Sequence, residues 1–318
     1  MFKKIMFFLA LCCFIIPLYA QDTDFLTGTL TFEGRDRQYW VALPENYAAD
    51  TPAPMVILLH GAGGTAQEFL AFTGYRRLAE ETGTILVAPQ GVQNSWGYLD
   101  PEQLHPEDLY TNDWDFLAVL IDQLVTEYAV DTERVYLIGL SNGGMLAQRT
   151  MCEHGDKLAG VAIIIAAMNN LLAEHCMSMS PLPLLMIRAT NDEIFPWAGA
   201  ATFKSDGRFL LNYSSQQMMD FYTGLLGCSR PDGVTNRTAP GSANRAVLDS
   251  YTRCRADSAA LMYALFDFPH AYPQNIFVIL KEDKVGTLED AIWEFFAAHP
   301  APTPEPEADA TAEATEMP

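Results

Sequence analysis

Ser141 stands in the run Gly139-Leu140-Ser141-Asn142-Gly143, directly after the apolar stretch Val135-Tyr136-Leu137-Ile138. Met145, Leu146 and Met151 follow and open a helix. A serine at the apex of a tight strand-to-helix turn has its hydroxyl pushed out where a base can reach it. The flanking glycines serve that turn, because side chains two positions either side would collide with the crossing strand and helix. A serine hydroxyl is a poor nucleophile until an imidazole takes its proton, and the imidazole needs a carboxylate to fix its tautomer. Of six histidines, His60 ends a strand, His105 lies in an acidic loop, and His154 and His175 flank a cysteine pair. His299 sits where the last helix gives way to the tail. Only His270 follows the last strand, in Phe268-Pro269-His270-Ala271-Tyr272-Pro273, so His270 is the expected base. The acid is expected from Arg188-Ala189-Thr190-Asn191-Asp192-Glu193, with Asp192 preferred for its short side chain and Glu193 in reserve.

Acyl transfer at such a serine also needs two N–H donors for the oxyanion. The backbone of Asn142 should supply one, at the positive end of its helix. The loop His60-Gly61-Ala62-Gly63-Gly64 should supply the other, from Ala62. A Gly-rich loop can instead cradle phosphate, but no Lys-Ser or Lys-Thr follows it here. Trp96, Trp197 and Tyr272 lie after strands at the same edge and are expected to line the substrate cleft. This chemistry requires no cofactor and no metal.

The elements that must hold these groups are legible in the apolar runs. Eight read as strands: 29–32, 39–43, 55–59, 85–88, 135–138, 161–165, 184–187 and 262–266. The middle ones are continuous, as parallel strands covered on both faces should be. Phe116, Leu117, Leu120, Ile121, Leu124 and Tyr128 have helical spacing. Ser214–Leu226 carries Met218, Phe221, Tyr222 and Leu225, and Thr287 with Asp290 forms a capping-box-like start to a last helix. Strands alternating with helices give a doubly wound α/β domain. With the turn at Ser141 and the chain order Ser, Asp, His, the expectation is an α/β-hydrolase fold, with a mostly parallel eight-stranded sheet and helices on both faces.

The 318 residues suffice for one large core. Lys3 and Lys4 precede an apolar run from Ile5 to Leu18, with Ala20 before Gln21. That pattern is a secretory signal peptide over residues 1–20, too short for a membrane span. Cys12 and Cys13 raise lipid anchoring as an alternative, but the residues before them suit it poorly. The domain then covers 21–299, and residues 300–318 form a disordered tail of Pro, Ala, Thr and Glu. Four cysteines remain after cleavage: Cys152, Cys176, Cys228 and Cys254. An even count in an exported chain favours disulfides, in any of three connectivities. A net charge of −21 argues against nucleic acid as a partner.

With these positions in place, the chain resembles the secreted polyhydroxybutyrate-depolymerase-like esterases, a family that includes feruloyl and acetyl-xylan esterases. The likeness runs from about Arg37 to Phe296. It is carried by His60-Gly61-Ala62-Gly63-Gly64, Ala88-Pro89-Gln90-Gly91 with Ser95-Trp96, and Asn112-Asp113 with Phe116-Leu117. Asp131-Thr132-Glu133-Arg134-Val135-Tyr136 leads into the unchanged Gly-Leu-Ser-Asn-Gly turn. Thr190-Asn191-Asp192, Phe195-Pro196-Trp197 and Gly199 match the acid segment, and Pro269-His270-Ala271-Tyr272-Pro273 the base segment. Tyr272 replaces a Trp of the family pattern, Trp197 a Tyr, and Pro269 a Gly. The resemblance implies a secreted hydrolase of carboxylic esters, acting on a polyester or a plant cell-wall polysaccharide ester. It also implies the pairings Cys152–Cys176 and Cys228–Cys254. A serine peptidase of the same fold, or a binding module that kept the fold, are the alternatives.

Overall fold

The computed structural model describes residues 25–104, 110–203 and 209–299. The expected signal peptide, the tail from 300 onward and His105 lie outside the described residues. Strands β1 (Leu26–Phe32), β2 (Arg35–Ala42), β3 (Ala53–Leu59), β4 (Ile85–Pro89), β5 (Val130–Leu140), β6 (Gly160–Ile164) and β7 (Leu184–Ala189) form most of one sheet. Beyond them β8 (Ala200–Phe203) and β9 (Phe209–Asn212) pair as a separate hairpin. β10 (Gly233–Asn236), β11 (Ala246–Tyr251) and β12 (Ala260–Leu265) complete the main sheet, in the order β1-β2-β4-β3-β5-β6-β7-β12-β11-β10. Pairing is parallel from β4 through β12 and antiparallel at both edges.

All eight expected strands are present, and the sheet has ten. The two additions, β10 and β11, are at one edge. β10 reads Gly-Val-Thr-Asn and is largely exposed, so it carries no apolar run to reveal it. β11 alternates between buried and half-exposed positions. An edge hairpin covered on one side needs no more than that.

Among the described residues seven α-helices accompany the sheet: α1 (Ala66–Phe72), α2 (Tyr75–Thr82), α3 (Asp113–Glu127), α4 (Asn142–His154), α5 (Asn170–Ala173), α6 (Ser215–Leu225) and α7 (Leu288–Ala298). Met55, Ile57 and Leu59 face a core shared with α3, α4 and α6. Val56 and Leu58 face a second core with α1, α2 and α7. The period-2 alternation of β3 therefore separates the two layers, and every residue of that strand is buried. Thr287 caps α7 with the expected capping box, and Ser214 caps α6 in the same way. Among the described residues no helix is long and apolar enough to cross a membrane.

Cys152 is bonded to Cys176, and Cys228 to Cys254. The first bond ties the end of α4 to the segment after α5, and so braces the helix that starts at Ser141. Each closes a loop of about 25 residues and should contribute roughly 3 kcal/mol in the chain-entropy picture. Peptide mapping without reductant should recover these two linked pairs and no alkylated thiol at the four positions. Alkylation of the folded chain at any of them would contradict the pairing.

Candidate active site

The turn from β5 into α4 is as tight as its glycines require. Ser141 has φ 52° and ψ −116°, a conformation that L residues seldom adopt. A Cβ on Gly139 would stand 2.3 Å from the Gly143 carbonyl oxygen. One on Gly143 would stand 2.6 Å from the carbonyl oxygens of Leu59 and His60. Strand, helix and the end of β3 thus meet where only backbone fits. The Ser141 N–H donates to the Ile164 carbonyl at 2.8 Å and fixes the turn to β6.

Two loops bring side chains to that serine. His270, after β12, places Nε2 2.9 Å from Ser141 Oγ. Its Nδ1 lies 3.0 Å from both carboxylate oxygens of Asp192, in the loop after β7. A carboxylate can only accept, so Nδ1 carries the hydrogen and Nε2 is left to accept from the serine hydroxyl. Asp192 is held in turn, because its Oδ1 accepts the N–H groups of Ile194 at 2.9 Å and Phe195 at 2.7 Å. Burial pushes the Asp192 carboxyl up. The hydrogen bond with His270 and those from the Phe195 and Ile194 N–H groups outweigh it and hold the group below the usual range. Glu193 is exposed and lies outside this chain of contacts.

The loop after β3 passes beside Ser141: a Cβ on Gly61 would be 3.5 Å from Ser141 Cβ. In that loop Gly63 N–H donates to Asn94 at 2.7 Å and Gly64 N–H to Gly61 at 3.1 Å. Among the described residues, the N–H groups of Ala62 and Asn142 have no protein acceptor. The side chain of Asn142 clamps the neighbouring loop. It accepts from Ser95 Oγ and Trp96 N–H, and donates to the Trp96 carbonyl.

His60 has a part that sequence reading missed. It is buried beneath the loop, with Nδ1 2.8 Å from the Gly61 carbonyl and Nε2 accepting the Gly91 N–H at 3.0 Å. Those partners put the hydrogen on Nδ1. Burial lowers its pKa, against the hydrogen bond to Gly61 and the charges of Asp113 and Glu68, which keeps the ring neutral. His60 is thus a strut between two loops at the site. Phe195 was missed as well: its ring centroid lies 5.4 Å from that of His270.

The three aromatics fare differently. Trp96 was expected in the cleft, but it is only 3% exposed. Its indole N–H donates to the His60 carbonyl at 2.8 Å and its ring lies against His60, so it is packing under the loop. Tyr272 is partly exposed, with its ring edge-on to Phe69 and Phe72 and its hydroxyl donating to Glu289 at 2.7 Å. Those contacts anchor the His270 loop from behind. Trp197 is half-buried against the core, on the loop that carries Asp192.

Residues 31–221 match the protein family Esterase, described as "Putative esterase". The chain belongs to this family. "Putative esterase NocK" of Nocardia uniformis subsp. tsuyamanensis is 34% identical over 175 residues, which are 54% of this chain and 50% of that protein. Feruloyl esterase D of Neurospora crassa is 25% identical over 241 residues, 72% of each chain. The chain spans half of the first of these relatives, and a quarter of a bifunctional acetylxylan esterase/xylanase of Neocallimastix patriciarum that is 28% identical over 186 residues. The solved structure of an acetyl xylan esterase from Aspergillus awamori superposes with a TM-score of 0.57. It covers 85% of this esterase-family chain and 99% of its own, at 14% identity. Likeness at that identity concerns the fold, and the fold is that of the α/β-hydrolases.

Proposed function

We propose that this esterase-family chain is a serine carboxylic-ester hydrolase that works through an acyl-enzyme. The observation that carries the reading is the unbroken chain of contacts Ser141–His270–Asp192, assembled from the ends of three different strands of one sheet. Ser141 Oγ attacks the ester carbonyl carbon while His270 Nε2 takes the hydroxyl proton. The oxyanion accepts from the N–H groups of Asn142 and Ala62. Collapse breaks the bond to the alcohol oxygen, which leaves with the proton from His270. Water then attacks the acyl carbon as His270 takes its proton, and collapse breaks the Ser141 Oγ–acyl bond, with His270 returning that proton to Oγ as the acid leaves. Asp192 holds the imidazole in its tautomer throughout.

The substrate class we favour is a feruloyl or acetyl ester of a plant cell-wall polysaccharide. Relatives carry those names, and an apolar rim stands beside the catalytic groups: Phe195, half-buried Trp197, and Ile194, which is 60% exposed. We also propose that the chain is exported, with residues 1–20 removed and the catalytic domain spanning 21–299. Two disulfides suit an oxidising compartment.

The test is a panel of nitrophenyl acetate, methyl ferulate, acetylated xylan, hydroxybutyrate oligomers and a peptide substrate. Methyl ferulate and acetylated xylan should be turned over fastest. Trp197→Ala should raise KM for methyl ferulate about tenfold more than for nitrophenyl acetate, the equivalent of losing one aromatic contact. Equal losses on both esters would mean that Trp197 supports the loop without touching substrate. Turnover of the peptide with none of the esters would overturn the reading.

A further inference from the structure

Arg188 is a buried cation with no carboxylate bonded to it. It occupies the next-to-last position of β7, is 0% exposed, and makes no ion pair among the described residues. Its donors go instead to neutral oxygens of three separate segments. Nε donates to Ser215 Oγ at 3.0 Å, at the start of α6. Nη1 donates to the Ala166 carbonyl at 2.6 Å, just past β6. Nη2 donates to the carbonyls of Phe195 at 3.0 Å and Pro196 at 3.4 Å, in the acid loop. Burying an unpaired charge is costly, and a leucine would fill the same sheet position without that cost. Burial pulls the guanidinium down to about 10, against the favourable charge of Asp192, so it remains a cation near neutral pH.

The contacts lead directly to the triad. Phe195 accepts from Arg188 through its carbonyl and donates its own N–H to Asp192 Oδ1. Ala166 lies two residues past Ile164, the acceptor of the Ser141 N–H. Asn191 N–H donates to the Phe268 carbonyl and joins the acid loop to the His270 loop. One planar, forked donor therefore sets the acid loop against the strand that fixes the nucleophile turn, a task suited to guanidinium and not to ammonium.

We propose that Arg188 is a positioning residue that acts through Asp192: it holds the 194–196 backbone so that the carboxylate faces His270 Nδ1. This rests on Asp192 being the triad acid. A residue that merely supports the core would lower stability and slow the reaction whether or not that acid is intact. A residue that acts through Asp192 should lose its effect once the acid is gone.

The experiment is a double-mutant cycle of Arg188→Lys with Asp192→Asn on the full mature chain, with nitrophenyl acetate as substrate. Alone, Arg188→Lys should lower kcat roughly 10- to 100-fold, as displacement of a catalytic group by about an ångström does. KM should stay within about twofold, because no substrate contact is removed. In the Asp192→Asn background the same change should cost less than about threefold. Multiplicative losses, or a raised KM with kcat unchanged, would overturn the role of Arg188 while leaving the triad standing. If Asp192→Asn alone leaves kcat unchanged, the acid assignment falls and the role of Arg188 with it. Should Arg188→Lys not fold, Ser215→Ala removes one acceptor of the same fork. Its few-fold loss of kcat should likewise vanish in the Asp192→Asn background, and its persistence there would count against the proposal.

Discussion

Ser141→Ala is expected to abolish ester hydrolysis while the chain stays folded. The substitution removes the oxygen that would form the acyl bond and nothing that the turn depends on. The Ser141 N–H, which bonds to Ile164, remains, and Gly139 and Gly143 still admit the close approach of backbone. Triads of this type lose on the order of 10⁶ in kcat when the nucleophile goes, leaving residual catalysis from binding and the oxyanion site. Steady-state kinetics with nitrophenyl acetate measure the loss, and circular dichroism checks the fold. Residual activity above about one per cent, against a loss that large, would place the nucleophile elsewhere.

His270→Ala should cost as much as Ser141→Ala, and the double substitution no more than either. The reason is the 2.9 Å contact: with Nε2 gone, nothing in reach accepts the serine proton. Groups that act as one unit give grossly non-additive losses. Asp192→Asn should cost less, about 10⁴, because the amide favours the wrong tautomer while the geometry survives. Glu193→Gln should be near neutral, since Glu193 points to solvent. Additive losses for Ser141 and His270, or a Glu193→Gln effect larger than that of Asp192→Asn, would break the assignment.

The parts of the fold that were legible in the sequence are those whose cause is local. Runs such as Met55–Leu59 and Val135–Ile138 are buried on both faces, and short, β-branched apolar runs are what strands covered on both sides require. Thr287 and Asp290 announce a helix start through hydrogen bonds within four residues. The turn at Ser141 is likewise local, a strand, two glycines and a helix. β10 and β11 were not legible, because a short edge hairpin with polar outer positions looks like loop.

In the candidate site, the three side chains that the structure brings together were legible, and what surrounds them was less so. Strand ends place Ser141, Asp192 and His270 at one edge, but they do not say which way a loop side chain turns. Trp96 follows a turn in which Gln93 and Asn94 have φ values of 52° and 58°, and Trp96 lies buried against His60 after it. Nothing in the local sequence signals that reversal. Arg188 and His60 were passed over for a related reason. Their partners, Ala166, Phe195 and Ser215 in one case and Gly91 in the other, are brought to them only by the assembled sheet and its loops.

The central claim is that Ser141 is an activated nucleophile. The most direct test is to treat the purified chain with a fluorophosphonate and map the adduct by tandem mass spectrometry. One adduct per chain is expected, on Ser141. It should be absent from Ser141→Ala and strongly slowed in His270→Ala. No adduct on the folded protein, or an adduct on another residue that persists in Ser141→Ala, would contradict the account.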